Sequence, residues 1–243
     1  MIEIRGLCKR FGAVTAIRDV TMRAADGCIT GLLGPNGAGK STTLRILYTV
    51  LRADEGDAQV DGVSVTQAPL EARRRIGVLP HGAGIYPHLS ARENIVYFGA
   101  LHGLARAECE ERAAQLLEML EMQDFAERPA NGFSQGQRLK TALARALVHG
   151  PQNVILDEPT NGLDVMAVRN LRALLVRLRA HGHCVLFSSH VMQEVAALCD
   201  EVVVIAHGSV VASGTQDEIR ARAGRSDLEE AFVRIIGSVE GLA

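Results

Sequence analysis

Residues Gly34 to Thr42 read Gly-Pro-Asn-Gly-Ala-Gly-Lys-Ser-Thr, and no other stretch restricts the fold so tightly. Gly34, Gly37 and Gly39 let the backbone curl with its N–H groups turned inward, so that a chain with few positive charges can surround a polyphosphate. Pro35, Asn36, Ala38 and Thr42 belong to the same cradle, Lys40 places a point charge on the β- and γ-phosphates, and the Ser41 hydroxyl is a ligand for Mg²⁺. Such a loop needs a buried strand before it and a helix after it. Cys28 to Leu33 is a short, mostly apolar run that reads as the strand, and Thr43 to Leu47 continues as a helix whose positive dipole end faces the phosphates.

The remaining chain has three textures. Residues 1–80 hold short β-type runs broken by turns: Met1 to Ile4, Ile17 to Met22, and Asp57 to Val60 ended by Asp61-Gly62. From Pro87 the pattern becomes helical. Ser90-Ala91-Arg92-Glu93 is a capping box, and Cys109, Ala113, Leu116, Leu117 and Leu120 form an amphipathic stripe read as core packing. Beyond Pro129 apolar strands alternate with helices: Val154 to Leu156, the helix Val165 to Ala180, then Cys184 to Phe187, the sign of a largely parallel sheet. Val202 to Ile205 and Val210 to Ala212 read as a hairpin, and Thr215-Gln216-Asp217-Glu218 and Ser226-Asp227-Leu228-Glu229 as two further capping boxes.

The fold expected is therefore α/β, a phosphate-loop nucleotide-triphosphatase core with an antiparallel β part at its N-terminus and an inserted helical lobe. The core takes residues 1–86 and 130–219, the lobe 87–129, and a short helical tail 220–243.

Composition excludes several classes. A net charge of −2 and the absence of a basic tract give no reason to expect a nucleic-acid partner. Five cysteines, odd in number and scattered, lack metal-ligand spacing and read as reduced thiols of a cytosolic protein. Neither a signal segment nor an apolar run long enough to cross a bilayer is visible.

In parallel sheets ligands gather beyond the carboxyl ends of the strands, where this reading places the phosphate loop, Asp157-Glu158 and His190. Asp157 at the tip of an apolar strand suits a Mg²⁺-site carboxylate, and Glu158 beside it can accept a proton from the attacking water or orient it. A strand-end histidine such as His190 is more often a helix N-terminal or hydrogen-bonding residue than a catalytic one.

At these residues the sequence resembles the ATP-binding subunits of ABC (ATP-binding cassette) transporters. Gly34 to Thr42 is similar to that family's Walker A loop, Phe133-Ser134-Gln135-Gly136-Gln137 to its signature, and Val154 to Glu158 to its Walker B strand. Asn161-Gly162-Leu163-Asp164 resembles the D-loop and His190 the switch histidine, in matching order from about Ile2 to Ile219. Glu158 to Asp164 and Leu228 to Phe232 most resemble the drug-resistance and sodium-export (NatA-like) subunits. The resemblance implies ATP hydrolysis with Mg²⁺, with Glu158, His190 and Lys40 as the catalytic set. It implies a head-to-tail dimer in which Ser134, Gln135, Gly136 and Gln137 of one copy, with Asp164, complete the ATP site of the other. It further implies a polytopic membrane permease, an export direction, and a place on the cytoplasmic face of the membrane, held there through the permease. Whether the cassette pairs with itself or with another cassette stays open.

Two departures from that pattern bear on mechanism. Phe11 stands where a tyrosine often stacks on adenine, and a phenyl ring still stacks. His81, in Gly77-Val78-Leu79-Pro80-His81, occupies the place of the glutamine that senses Mg²⁺ and the membrane subunit. Either it is a tolerated loop residue, or it keeps that role. Neutral imidazole accepts a hydrogen bond from a metal-bound water and protonated imidazole does not, so the second reading expects turnover to fall toward acidic pH. Comparing the ATPase profiles of the parent and His81→Gln from mildly acidic to neutral pH decides between them: identical profiles contradict a coupling role. Two other classes fit less well. A soluble cassette ATPase without a transport role is the alternative, although no coiled-coil insertion, second cassette or basic surface is visible. A GTPase lacks support, since no Asn-Lys-x-Asp segment occurs.

Overall fold

The computed structural model describes residues 1–82 and 84–239. Its strands are β1 (Ile2–Phe11), β2 (Val14–Ala24), β3 (Ile29–Leu33), β4 (Glu55–Val60), β5 (Val63–Ser64), β6 (Ile76–Leu79), β7 (Asn153–Asp157), β8 (Cys184–Ser189), β9 (Glu201–Ala206) and β10 (Ser209–Thr215). Its helices are α1 (Lys40–Leu47), α2 (Pro69–Arg74), α3 (Ala91–Leu101), α4 (Arg106–Met119), α5 (Gln135–Leu147), α6 (Val165–Ala180), α7 (Met192–Leu198), α8 (Gln216–Ala223) and α9 (Leu228–Val239).

Two sheets form. A four-stranded antiparallel sheet runs β2-β1-β4-β5, and a six-stranded sheet runs β10-β9-β3-β8-β7-β6. In the second, β9, β3, β8, β7 and β6 are parallel and only the β9–β10 hairpin is antiparallel. The order places β8 between β3 and β7, so the strand leading into the phosphate loop and the strand ending in Asp157 share one neighbour.

The parallel strands are apolar on both faces because both faces are covered. Alternate side chains go to opposite sides. Leu32, Ile155, Leu186 and Val203 pack with α1 and the antiparallel sheet, whereas Leu33, Val154, Leu156, Val185 and Phe187 pack under the later helices. Helices α3 and α4 lie between β6 and α5 in the chain and join the second core through Ile95, Ala113, Leu116 and Leu117.

Local signals account for most boundaries. Ser90, Ser134 and Thr215 each accept the N3 amide while Glu93, Gln137 and Glu218 return a bond to the cap, three complete capping boxes. The box expected at Ser226 is corrected: α9 starts at Leu228, and Asp227 caps it by accepting from Glu229 and Glu230 N–H at 2.8 and 3.0 Å. An aspartate one residue later offers the stronger acceptor to the free amides of the first turn. Residues 240–243 of the expected tail lie outside the described residues. No helix among the described residues is long and apolar enough to cross a membrane.

Gly77 shows how tightly α5 sits on the sheet. A Cβ there would stand 2.3 Å from the Ala146 carbonyl oxygen and 2.8 Å from Pro151. Gly77→Ala must therefore push the C-terminal end of α5 off β6. Its denaturant unfolding midpoint is expected to drop by the equivalent of about 1–3 kcal/mol, and an unchanged midpoint would show the contact to be soft.

Candidate active site

The phosphate loop leaves β3 at Leu33 and enters α1 at Lys40. Two of its glycines are demanded by close approach. A Cβ on Gly34 would meet the Ile205 carbonyl oxygen at 2.3 Å, and Gly39 has φ 107° with Ile17 and Ala16 crowding the same position. The loop thus sits against β2 and β9, and its cleft is lined by Ala16, by residues 36–42 and by Glu158.

Lys40 is almost fully buried, at 4% exposure. Its ammonium donates to the Gly34 and Pro35 carbonyls at 2.7 and 3.1 Å and lies 3.6 Å from Glu158 Oε1. Burial lowers its pKa below the ordinary lysine value, and the carboxylates of Glu158 and Asp157 act in the opposite direction.

Asp157 ends β7 at 1% exposure. Its Oδ1 accepts from Ser188 Oγ at 2.7 Å and from Ser41 Oγ at 3.0 Å, so two strand ends and the first turn of α1 meet at one carboxylate oxygen. Its other oxygen, Oδ2, is buried with no hydrogen-bond partner among the described residues. A buried carboxylate oxygen left unpaired is costly, and it is the group a hard cation would satisfy.

Glu158 follows with φ 49°, a left-handed conformation unusual for a residue with a side chain. The turn brings its N–H to Ser188 Oγ at 3.0 Å and aims its carboxylate back over the loop. Three other candidate groups surround that carboxylate. Lys40 is the first, His190 Nδ1 lies 3.4 Å from Oε1, and His81 Nδ1 lies 4.0 Å from Oε2. His190 and His81 are both part-exposed, at 41% and 49%. His81 stands just beyond the end of β6, so four adjacent parallel strands each deliver a group to the same rim.

The segment after His81 is anchored from a distance. Arg145 of α5 donates to the Gly84 carbonyl at 2.7 Å while its guanidinium lies 3.6 Å above the Phe98 ring. Asn94 of α3 accepts from Tyr86 N–H and donates to the carbonyls of Tyr86, Leu89 and Ser90.

Other candidates are not gathered at the phosphate loop. Ser134, Gly136 and Gln137 line a separate cleft of about 290 Å³ between α4, α5 and α6, together with Asp164. None of them lines the phosphate-loop cleft. Asp164 caps α6 by accepting from Ala167 N–H at 2.8 Å. Gln135 is turned toward Gly162, whose own Cβ would lie 3.1 Å from its carboxamide oxygen, and it shares a cleft with His81 and Glu158. Phe11 pairs with Val14 at the tip of the β1–β2 hairpin, 48% exposed, with the Lys9 ammonium 5.6 Å from its ring centre.

The remaining histidines with described contacts have structural partners. His102 and His149 stack at 3.6 Å, and burial first, with His102 second, pushes His149 down to about 4. His181 and His183 bond the carbonyls of Arg177 and Pro151.

Sequence reasoning passed over Ser188, which binds Asp157 and Glu158 at once, and Ala16, which lines the phosphate cleft. The Ser188-Ser189 pair just before His190 was the available signal.

Among known proteins, the family described as ABC transporter matches residues 17–161. The ABC transporter ATP-binding protein NatA of Bacillus subtilis (strain 168) is 40% identical over 238 residues, covering 96% of this chain and 97% of that one. A solved ATP-binding subunit of an ABC transporter superposes with a TM-score of 0.88 at 30% identity, covering 97% of this chain and 99% of its own. A dimeric bacterial ABC transporter cassette does so with a TM-score of 0.80 at 26% identity, covering 88% and 98%.

Proposed function

The chain belongs to the ABC transporter family as an ATP-binding, ATP-hydrolysing subunit, and from that premise we propose that it works as half of a two-site ATPase that drives a separate membrane permease. One observation carries the reading. Glu158 is enclosed by Lys40, His190 and His81 over an Asp157 with a vacant buried oxygen, while the signature residues Ser134, Gly136 and Gln137 face a different cleft. A site that holds a base and a phosphate cradle but not its signature is completed by a second copy. The solved dimeric cassette of similar fold supports this pairing.

Each group then has a stated task. Backbone N–H groups of residues 36–42 and the dipole of α1 hold the phosphates, and Lys40 neutralises the β- and γ-oxygens. Glu158 takes the proton of the attacking water, oriented by its left-handed turn and by the Ser188 bond to its N–H. His190, with Nδ1 3.4 Å from Glu158 Oε1, donates its one N–H to the γ-phosphate oxygen that gains charge. Phe11 stacks on the base, and Ser134 to Gln137 of the second copy, capping α5, offer a further helix N-terminus to the same phosphate.

The donor set fits Mg²⁺: Ser41 Oγ and Asp157 lie together, and Asp157 Oδ2 lacks a partner. Two protein donors suffice because Mg²⁺ is held mainly by phosphates and water, and among the described residues no cluster of three or more His, Cys, Asp or Glu could cage a metal alone. When bound it would supply charge neutralisation to the phosphates. His81, with Nδ1 4.0 Å from Glu158 Oε2, would face the same site.

The domain division expected from the sequence accompanies this reading: residues 1–86 and 130–219 as nucleotide core, 87–129 as the inserted helical lobe, and a tail from 220. The chain lacks a crossing helix among its described residues, so transport requires a polytopic partner, with the chain docked on the cytoplasmic face of the membrane. The NatA-like character of Glu158 to Asp164 and Leu228 to Phe232 supports export. The test is co-purification of the chain with the membrane protein of the neighbouring reading frame, and ATP-dependent pairing of two copies that part on hydrolysis. Failure of that membrane protein to bind or to stimulate turnover favours the soluble cassette instead.

A further inference from the structure

We propose that Glu194 is a positioning residue for hydrolysis: its buried carboxylate ties the turn carrying Glu158 to the strand end carrying His190, an inference that rests on the functional reading above. Glu194 lies in α7 at 9% exposure. Its Oε2 accepts from the Thr160 hydroxyl at 2.7 Å and from the Ser189 hydroxyl at 2.9 Å. Thr160 is two residues beyond Glu158, and Ser189 is the residue before His190. The residue after His190 is held by the same hydroxyl, since Val191 N–H donates to Ser189 Oγ at 2.9 Å.

The chemistry of a carboxylate explains why this arrangement has one solution. An ionised carboxylate only accepts, so both hydroxyls must spend their proton on it. Ser189 is then left with lone pairs alone, and Val191 N–H takes one. His190 is thereby fixed from both flanks by one side chain.

The Glu158 turn is likewise held at two points on β8. Ser188 Oγ takes the Glu158 N–H at 3.0 Å, and Thr160 reaches Ser189 through Glu194. Between these anchors the chain closes on itself, with Asn161 N–H donating to the Glu158 carbonyl at 3.3 Å and Leu163 N–H to the Thr160 carbonyl at 3.1 Å. The 3.4 Å separation of His190 Nδ1 from Glu158 Oε1 is the distance these ties set. Thr160 also opens the segment Asn161 to Asp164, so a shift of that segment when two copies pair is passed to His190 through Glu194.

The experiment measures steady-state ATPase and the affinity for trinitrophenyl-ATP in the full chain and in Glu194→Ala, Glu194→Gln and Thr160→Val. A positioning role gives a kcat about ten- to a hundredfold lower in Glu194→Ala, with KM and nucleotide affinity within about twofold of the parent. The Glu194→Gln carboxamide oxygen can accept both hydroxyls and restores most of the loss. Thr160→Val, which keeps the side-chain shape, lowers kcat at constant KM, and adds nothing when combined with Glu194→Ala. A parental kcat in Glu194→Ala, or a loss of kcat that only follows a loss of nucleotide affinity, overturns the inference. Should Glu194→Ala not fold, an unchanged kcat in Thr160→Val overturns it equally. Absence of turnover in the parent chain overturns the ATPase reading and this inference with it, whereas normal parental turnover with unaffected variants overturns the inference alone.

Discussion

Glu158→Gln is expected to bind ATP and to hydrolyse it about 10²- to 10⁴-fold more slowly than the parent. The carboxamide keeps the size of the side chain and its place beside Lys40, His190 and His81, but it cannot take a proton from water. Affinity for the nucleotide should hold or rise, because a negative charge has been removed from beside a polyphosphate. On the proposed cycle, in which ATP holds two copies together and hydrolysis parts them, the variant should accumulate as an ATP-bound dimer on size-exclusion chromatography while the parent returns to monomer. Turnover retained in Glu158→Gln would falsify the role of general base given to this residue.

Lys40→Ala should fail one step earlier. Its ammonium lies within the phosphate cradle, ringed by the Gly34 and Pro35 carbonyls and by Glu158. Replacing it removes a charge-assisted bond to the β- and γ-phosphates, a loss of about 1.5–3 kcal/mol, or roughly a ten- to hundredfold weaker Kd for ATP. Without bound ATP no dimer should form, which separates this variant from Glu158→Gln. Equilibrium titration with a fluorescent ATP analogue measures it, and parental affinity with lost turnover would move Lys40 from binding to chemistry alone. The two variants therefore dissect the cycle at different points.

What could be read from the chain beforehand follows from the physics of each signal. The loop Gly34 to Thr42, the strand ending in Asp157 and the helix Val165–Ala180 are legible because glycine spacing, short apolar runs and helical periodicity are local properties. The capping boxes at Ser90 and Thr215 are local too, and both appear as expected, whereas the equally local box at Ser134 is found only in the structure. The first strand is a different case. Only Met1 to Ile4 is apolar enough to be noticed, yet β1 runs to Phe11, because pairing with β2 and β4 on either side overrides the weak propensity of Arg5 to Arg10. Strand β6 and helix α2 were likewise hidden by their lengths of four and six residues, too short for a period to show. At the site, residue types could be named but not their bonds. Nothing in the sequence joins Ser188 to Asp157, or Glu194 to Thr160 across thirty-four residues, since those contacts exist only once the strands are in register.

The strand order has a consequence for how the chain is made. Residues of the antiparallel sheet are all present once the chain reaches Ser64, so that part can close early. The strand before the phosphate loop has no such partner nearby: Ile29 pairs with Val185, Thr30 with Glu201, and Leu33 with Val204. Closing loops of that length is slow, and synthesis delivers the N-terminal end first. The cradle for phosphate is therefore among the first pieces to leave the ribosome, and the strands that stiffen it are among the last. An interrupted chain carries the loop without its catalytic rim, so that ATP consumption begins only in molecules whose synthesis has passed the ninth strand.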